Sequence, residues 1–115
     1  MTTELRFRAY LMRNRIAGWS TCVKSIAGCP DFFFPKRRLA VFIDGCFWHG
    51  CPNCGHTPKT NRSYWITKLR RNKRRDLRIT KTLKSEGIQV LRLWECQLRR
   101  RPEWCVMKLT RALYL

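Results

Sequence analysis

Asp31-Phe32-Phe33-Phe34-Pro35-Lys36-Arg37-Arg38-Leu39-Ala40-Val41-Phe42-Ile43-Asp44 decides the fold. Two short apolar runs, rich in aromatic and β-branched residues, flank a proline and three cations. That pattern predicts a hairpin of buried strands, with the turn near Lys36 and Arg37. Antiparallel pairing about that turn sets Asp31 opposite Phe42 or Ile43, so Asp31 and Asp44 emerge together at the far end. Two carboxylates at a sheet edge, with a backbone carbonyl between them, form a hard oxygen site suited to Mg²⁺. The plainer alternative is that Asp31 caps a turn and Asp44 opens an Asp-Gly turn.

Outward from the hairpin the chain alternates. Thr3 can cap a first helix over about Glu4 to Arg13, with Leu5, Ala9 and Met12 as an apolar stripe, and Gly18 breaks it. Trp19 to Ile26 suits a short edge strand. Asn61 or Ser63 can cap a long helix running to about Ser85 and stopped at Gly87. Ile88 to Trp94 reads as another buried strand, and a last helix spans about Pro102 to Leu113, with proline in the first turn where its missing N–H costs nothing. The order predicts an α/β sandwich around a small mixed sheet flanked by helices.

The 115 residues suit a single domain with one modest core. A formal charge of +18 makes the surface repel itself unless an acidic polymer neutralises it, so nucleic acid is the expected partner. No run of about 18 apolar residues exists, and Glu4, Arg6 and Arg8 interrupt the start where a signal peptide would be apolar. A cytoplasmic place in a bacterial-type cell, near the nucleoid, is expected, with no membrane association. In a reducing compartment seven cysteines point to metal or catalysis rather than disulfides, and the odd number agrees.

The hairpin runs directly into Asp44-Gly45-Cys46-Phe47-Trp48-His49-Gly50-Cys51-Pro52-Asn53-Cys54, which reads as a metal-organised loop. Cys46, Cys51 and Cys54 can wrap one tetrahedral Zn²⁺, and Cys96, after the last strand, can supply a fourth thiolate. Such a closed site is structural, since it leaves no position for water. His56 could replace one thiol, though a solvated loop position suits it better. Cys22, Cys29 and Cys105 lack ligand spacing and read as ordinary thiols. With the four cysteines saturating the ion, His49 is left to accept a proton at neutral pH. Phe47 and Trp48 are adjacent, so one at most would normally be buried, and an exposed pair can unstack a base step.

The long helix carries Lys68, Arg70, Arg71, Lys73, Arg74, Arg75 and Arg78, while Trp65, Leu69, Ile79 and Leu83 can form its inward stripe. Lys36 to Arg38 and Arg99 to Arg101 add two clusters. Few acidic neighbours exist to pair with these cations, so phosphate contact is the expected role. Asn72 and Asp76, one helical turn apart, fall on the apolar side of the helix and toward the site, where touching DNA and bracing a loop are both open to them.

Pro30-Asp31 followed by Asp44-x-Cys46 resembles the Pro-Asp…(Asp/Glu)-x-Lys nuclease signature with its lysine lost. Gly28-x-Pro30-Asp31-Phe32, Asp44-Gly45-Cys46-Phe47-Trp48-His49-Gly50, Tyr64-Trp65, Asn72-x-x-Arg75-Asp76 and Trp94-Glu95-Cys96 together resemble the very-short-patch repair endonucleases, from about Glu4 to Arg100. The resemblance implies a restriction-endonuclease-like fold and Mg²⁺-dependent nicking of one strand of double-stranded DNA beside a T·G mismatch. It further implies that Asp31 and a main-chain carbonyl at Ile43 hold Mg²⁺, that Glu4 supports the site and that His49 acts near the attacking water. Phe47, Trp48 and Trp65 would enter the base stack, and Cys46, Cys51, Cys54 and Cys96 would hold zinc, with cysteine in place of histidine at Cys51. Lys68, Arg71, Asn72, Arg75 and Asp76 are the expected DNA-facing residues of the helix. Asp44 stands where the best-known members have histidine, so a metal-binding role is expected of it. The chain begins about where the family's first helix begins, which implies a single nuclease domain over 1–115 lacking the N-terminal arm; other repair proteins, or a partner supplying that arm, are then expected. Two alternatives stay open: a related nuclease without mismatch preference, in restriction or phage defence, and a non-catalytic zinc module that binds DNA.

Overall fold

The computed structural model describes residues 3–21, 24–46, 51 and 59–114. In chain order these form α1 (Thr3–Arg13), β1 (Ser20–Thr21), β2 (Phe32–Phe34), β3 (Leu39–Asp44), α2 (Arg62–Ser85), β4 (Gln89–Trp94), α3 (Glu95–Arg100) and α4 (Pro102–Tyr114). The four strands make one mixed sheet in the order β1-β2-β3-β4. The first two pairings are antiparallel and the last is parallel. The parallel pair requires a crossover, and α2 lies within it.

Side-chain alternation along the strands divides the core into two layers. Phe32, Phe34, Leu39, Val41 and Leu93 pack with Phe7 and Leu11 of α1 and with Leu98, Cys105, Leu109 and Leu113 of α3 and α4. On the other face Ala40 and Phe42 meet Leu83 and Ile88, with Phe33, Ile79 and Val90 alongside. A sheet covered on both faces explains why β3 reads as a continuous apolar run instead of an alternating one.

The hairpin forms as expected. Phe32 pairs with Val41 and Phe34 with Leu39 across a turn from Pro35 to Arg38, whose last residue has φ 49°. Among the described residues the edge strand in the 19–26 region comprises Ser20 and Thr21, both exposed. The stripe expected on α1 is corrected: Leu5 and Met12 are exposed, and Phe7 and Leu11 carry the burial. Phe7 meets Phe32 edge-on at 5.6 Å between ring centroids, and its larger apolar surface favours the helix rotation that buries it. The helix also includes Thr3 instead of starting after it.

At its start α2 has Asn61 in a left-handed conformation with no side-chain cap. At its end the N–H of Gly87 donates to the Lys84 carbonyl, and that of Ile88 donates to the Leu83 carbonyl. This is a Schellman stop, and the φ of 77° at Gly87 explains the need for glycine there. Twenty-four helical residues span roughly 36 Å, against about 20 Å for a six-residue strand. Ile79 and Leu83 therefore pack on the sheet while the N-terminal half overhangs it, with Trp65 and Leu69 half-buried. Among the described residues no helix is long and apolar enough to cross a membrane.

Candidate active site and nucleic-acid interface

The hairpin register determines the site. With Phe32 opposite Val41, Asp31 falls opposite Phe42, and the Ile43 N–H donates to Asp31 Oδ2 at 2.7 Å. Burial pushes the Asp31 carboxyl above its usual range; the Ile43 N–H opposes that shift, and the nearby carboxylates of Glu4 and Asp44 add to it. Glu4 on α1, Asp31 before β2 and Asp44 at the end of β3 thus belong to one electrostatic cluster. A site that raises a carboxyl through burial and like charge favours a cation, which would relieve both.

Asp44 is buried, 5% exposed, and its carboxylate accepts from Arg92 Nη1 at 3.0 Å and 3.2 Å. Arg92 is on β4, where Phe42 and Arg92 are register partners. Its Nε approaches Thr80 Oγ1 at 3.4 Å, its Nη2 approaches the Asp76 carbonyl at 3.4 Å, and the guanidinium lies 4.4 Å from the Phe42 ring centroid. Sequence reasoning does not single out Arg92, although a signal is present: one arginine inside the otherwise apolar run Val90-Leu91-Arg92-Leu93 must find a buried partner. Asp31, Asp44, Asp76, Arg75 and Arg92 line one open cavity of about 460 Å³, with Gly28 and Ile79 in its wall.

The thiol cluster forms in part among described residues. Cys46, Cys51 and Cys96 are all buried, and their sulfurs lie within 4.8 Å of one another. The Cys51 and Cys96 sulfurs are 3.7 Å apart, far beyond the ~2.05 Å of a disulfide. Thiolates around a tetrahedral ion with ~2.3 Å bonds sit about 3.8 Å apart, so the donor set fits a metal. Trp94 packs against the cluster. Cys105 is a core thiol pushed up to about 11 by burial, and Cys29 is exposed. Phe47, Trp48, His49, Cys54, Cys22 and His56 lie outside the described residues.

The third component is α2. Asn72 and Asp76 are half-buried on its sheet-facing side, and Asp76 Oδ1 stands 4.0 Å from Arg92 Nη1. Lys68, Arg71, Arg74, Arg75 and Arg78, with Asn72, line a groove of about 840 Å³. Arg75 lines the carboxylate cavity as well, so groove and cavity are neighbours on either side of it. At the far end Tyr64 and Trp65 meet edge-on at 5.1 Å, and the Lys68 ammonium lies 6.0 Å and 5.9 Å from their ring centroids.

Comparison with known proteins bears on the same residues. The family described as DNA mismatch endonuclease Vsr matches residues 2–55, which include Glu4, Asp31, Asp44, Cys46 and Cys51. The type II nicking enzyme V.NaeI of Lentzea aerocolonigenes is 54% identical over 66 residues, 57% of this chain and 40% of that protein. V.NmeDIP of Neisseria meningitidis serogroup C, also a type II nicking enzyme, is 44% identical over 91 residues, 77% of this chain and 62% of its own length. The DNA mismatch endonuclease Vsr of Escherichia coli K12 is 37% identical over 91 residues, 77% of this chain and 58% of that protein. The chain therefore spans less than two thirds of these relatives. The chain is thus similar, in residues 2–55 and against each of these relatives, to the Vsr family of DNA mismatch endonucleases.

Proposed function

We propose that this protein is a Mg²⁺-dependent DNA endonuclease that nicks one strand at or near a T·G mismatch. The observation that carries the reading is that Arg75 lines both the carboxylate cavity and the cationic groove, which supports an oxygen-rich metal site beside a path for a phosphate backbone. In this reading residues 1–115 are one restriction-endonuclease-like nuclease domain acting on double-stranded DNA in the cytoplasm.

Asp31, Asp44 and the Ile43 carbonyl would hold Mg²⁺, with Glu4 in support. Bound there, the ion supplies an activated water and offsets charge on the phosphate. The 2.7 Å bond from the Ile43 N–H fixes one Asp31 oxygen and so orients the other. His49 accepts the proton of the attacking water on a ring nitrogen. Lys68, Arg71 and Arg75 grip the backbone, while Asn72 and Asp76 brace the site from α2. Phe47, Trp48 and Trp65 act as wedges, which favour a mismatch because it is already weakly paired. Cys46, Cys51, Cys54 and Cys96 would hold Zn²⁺, whose role there would be structural.

The test is incubation of the purified protein with a T·G duplex and its T·A control, with and without Mg²⁺. Nicking of the mismatch alone, dependent on Mg²⁺, is expected. Equal nicking of both duplexes would leave a nuclease without mismatch preference, and binding without nicking would leave a DNA-binding zinc module.

A further inference from the structure

We propose that Arg92 is a catalytic residue, holding a non-bridging oxygen of the phosphate that is cut; this rests on the endonuclease reading above. Strand alternation puts Arg92 on the α2 side of the sheet, next in register to Phe42, where an unsatisfied guanidinium would be costly. It is held from two layers: by Asp44 on β3, by Thr80 and the Asp76 carbonyl on α2, and by the face of Phe42. Its side chain nevertheless keeps 23% exposure and lines the cavity shared with Asp31. Nη2 donates only to the Asp76 carbonyl, at 3.4 Å, and its second N–H has no partner among the described residues.

Neutralising Asp44 does not by itself account for this arrangement, because an apolar pair of similar volume serves a core as well as a buried ion pair does. A phosphodiester under attack gathers negative charge on its non-bridging oxygens. A planar fork donor, already fixed and partly shielded from water, stabilises that charge without reorganising at the moment of reaction. Arg75, the other cation of the cavity, is exposed and also lines the groove, so it suits backbone grip. The two arginines should therefore behave differently: loss of Arg75 weakens binding generally, and loss of Arg92 is felt at one linkage.

The experiment first maps the nick made by the parent in Mg²⁺. Duplexes carrying a single neutral methylphosphonate, at the cut linkage or two linkages away, are then bound to parent and variants without divalent cation at fixed salt. At the cut linkage the parent should lose about tenfold or more in affinity, as expected for one charge-assisted hydrogen bond. Arg92→Met should bind the unmodified duplex more weakly and lose less than about twofold further. Arg75→Met should keep the full penalty. In Mg²⁺, Arg92→Met should nick about 10²- to 10³-fold more slowly, and Arg92→Lys should retain more activity. Because Arg92→Met removes the arginine partner of the buried Asp44 carboxylate, the binding measurement is repeated on Arg92→Met with Asp44→Asn, which removes that charge as well, and the penalty should again be absent. If the parent nicks but the methylphosphonate penalty persists in both Arg92 variants, the inference is overturned and the endonuclease reading stands. A parent that nicks no duplex removes both.

Discussion

Replacing Gly28 by alanine tests the wall of the cavity. Gly28 has φ 81°, and an added Cβ would come within 2.7 Å of Ile79 Cγ2, 3.2 Å of Phe42 Cε1 and 3.3 Å of Ile79 Cδ1. A left-handed backbone costs an L-residue about 1–2 kcal/mol. Overpacking adds about 1–3 kcal/mol, since Ile79 is itself wedged between α2 and the sheet. The total, about 2–5 kcal/mol, is a large part of the roughly 5–15 kcal/mol that holds a typical domain. Gly18 provides the control: its φ is 82°, yet nothing lies within 4 Å of the added Cβ, so Gly18→Ala should cost only the backbone term. In thermal melts Gly18→Ala should lower Tm by roughly 5 °C and Gly28→Ala by on the order of 10–20 °C. Combining Gly28→Ala with Ile79→Ala should cost less than the sum of the two, because the second change removes the atoms struck by the first. The reasoning fails if Gly28→Ala melts no lower than Gly18→Ala, or if the double variant is additive.

Three further outcomes are expected. Asp31→Asn should abolish Mg²⁺-dependent nicking and preserve duplex binding. Since the Asp31 carboxyl is raised, its neutral form is favoured by the fold, and that contribution is present at low pH and lost as pH rises through the raised value. Without added divalent cation the Asn variant should therefore melt above the parent at pH 7–8, with the gap closing toward acid; a gap widening toward acid would contradict the burial argument. Metal analysis should find about one zinc per chain, and Cys96→Ser should lose it and unfold more readily; a folded, zinc-free parent excludes the site. Changing Arg71, Arg74 and Arg78 together to glutamine should flatten the dependence of log affinity on log salt by about 0.9 for each phosphate no longer neutralised, and an unchanged slope would move the backbone path off this groove.

The elements legible in the sequence are those whose signals act locally. The aromatic runs around Pro35 to Arg38 specify a hairpin, and its register alone brings Asp31 to Asp44. Gly87 stops α2 by a backbone requirement that no distant residue alters. The rotation of α1 is not local: Leu5, Ala9 and Met12 and the pair Phe7 and Leu11 all satisfy helical spacing, and Phe32 on another element selects between them. The short helix α3 escapes a reading along the chain because only Arg101 separates it from α4; Pro102 bars Arg101 from helical backbone, and its ψ of 61° breaks the run. Arg92 reads as part of an apolar strand, since its partners come from β3 and α2 and are invisible along the chain.

Two of the thiols, Cys46 and Cys96, sit at matching places just past two neighbouring strands. Asp44 pairs in register with Trp94, and Cys46 and Cys96 each follow two residues later. An ion gripping both sulfurs would therefore clasp the carboxyl ends of neighbouring parallel strands just past the Asp44–Arg92 pair. Oxidation of either sulfur would open that clasp, letting the strands splay and slackening the grip on the Asp44 carboxylate, so that oxidative damage to a thiol would be felt as a fault in cutting DNA.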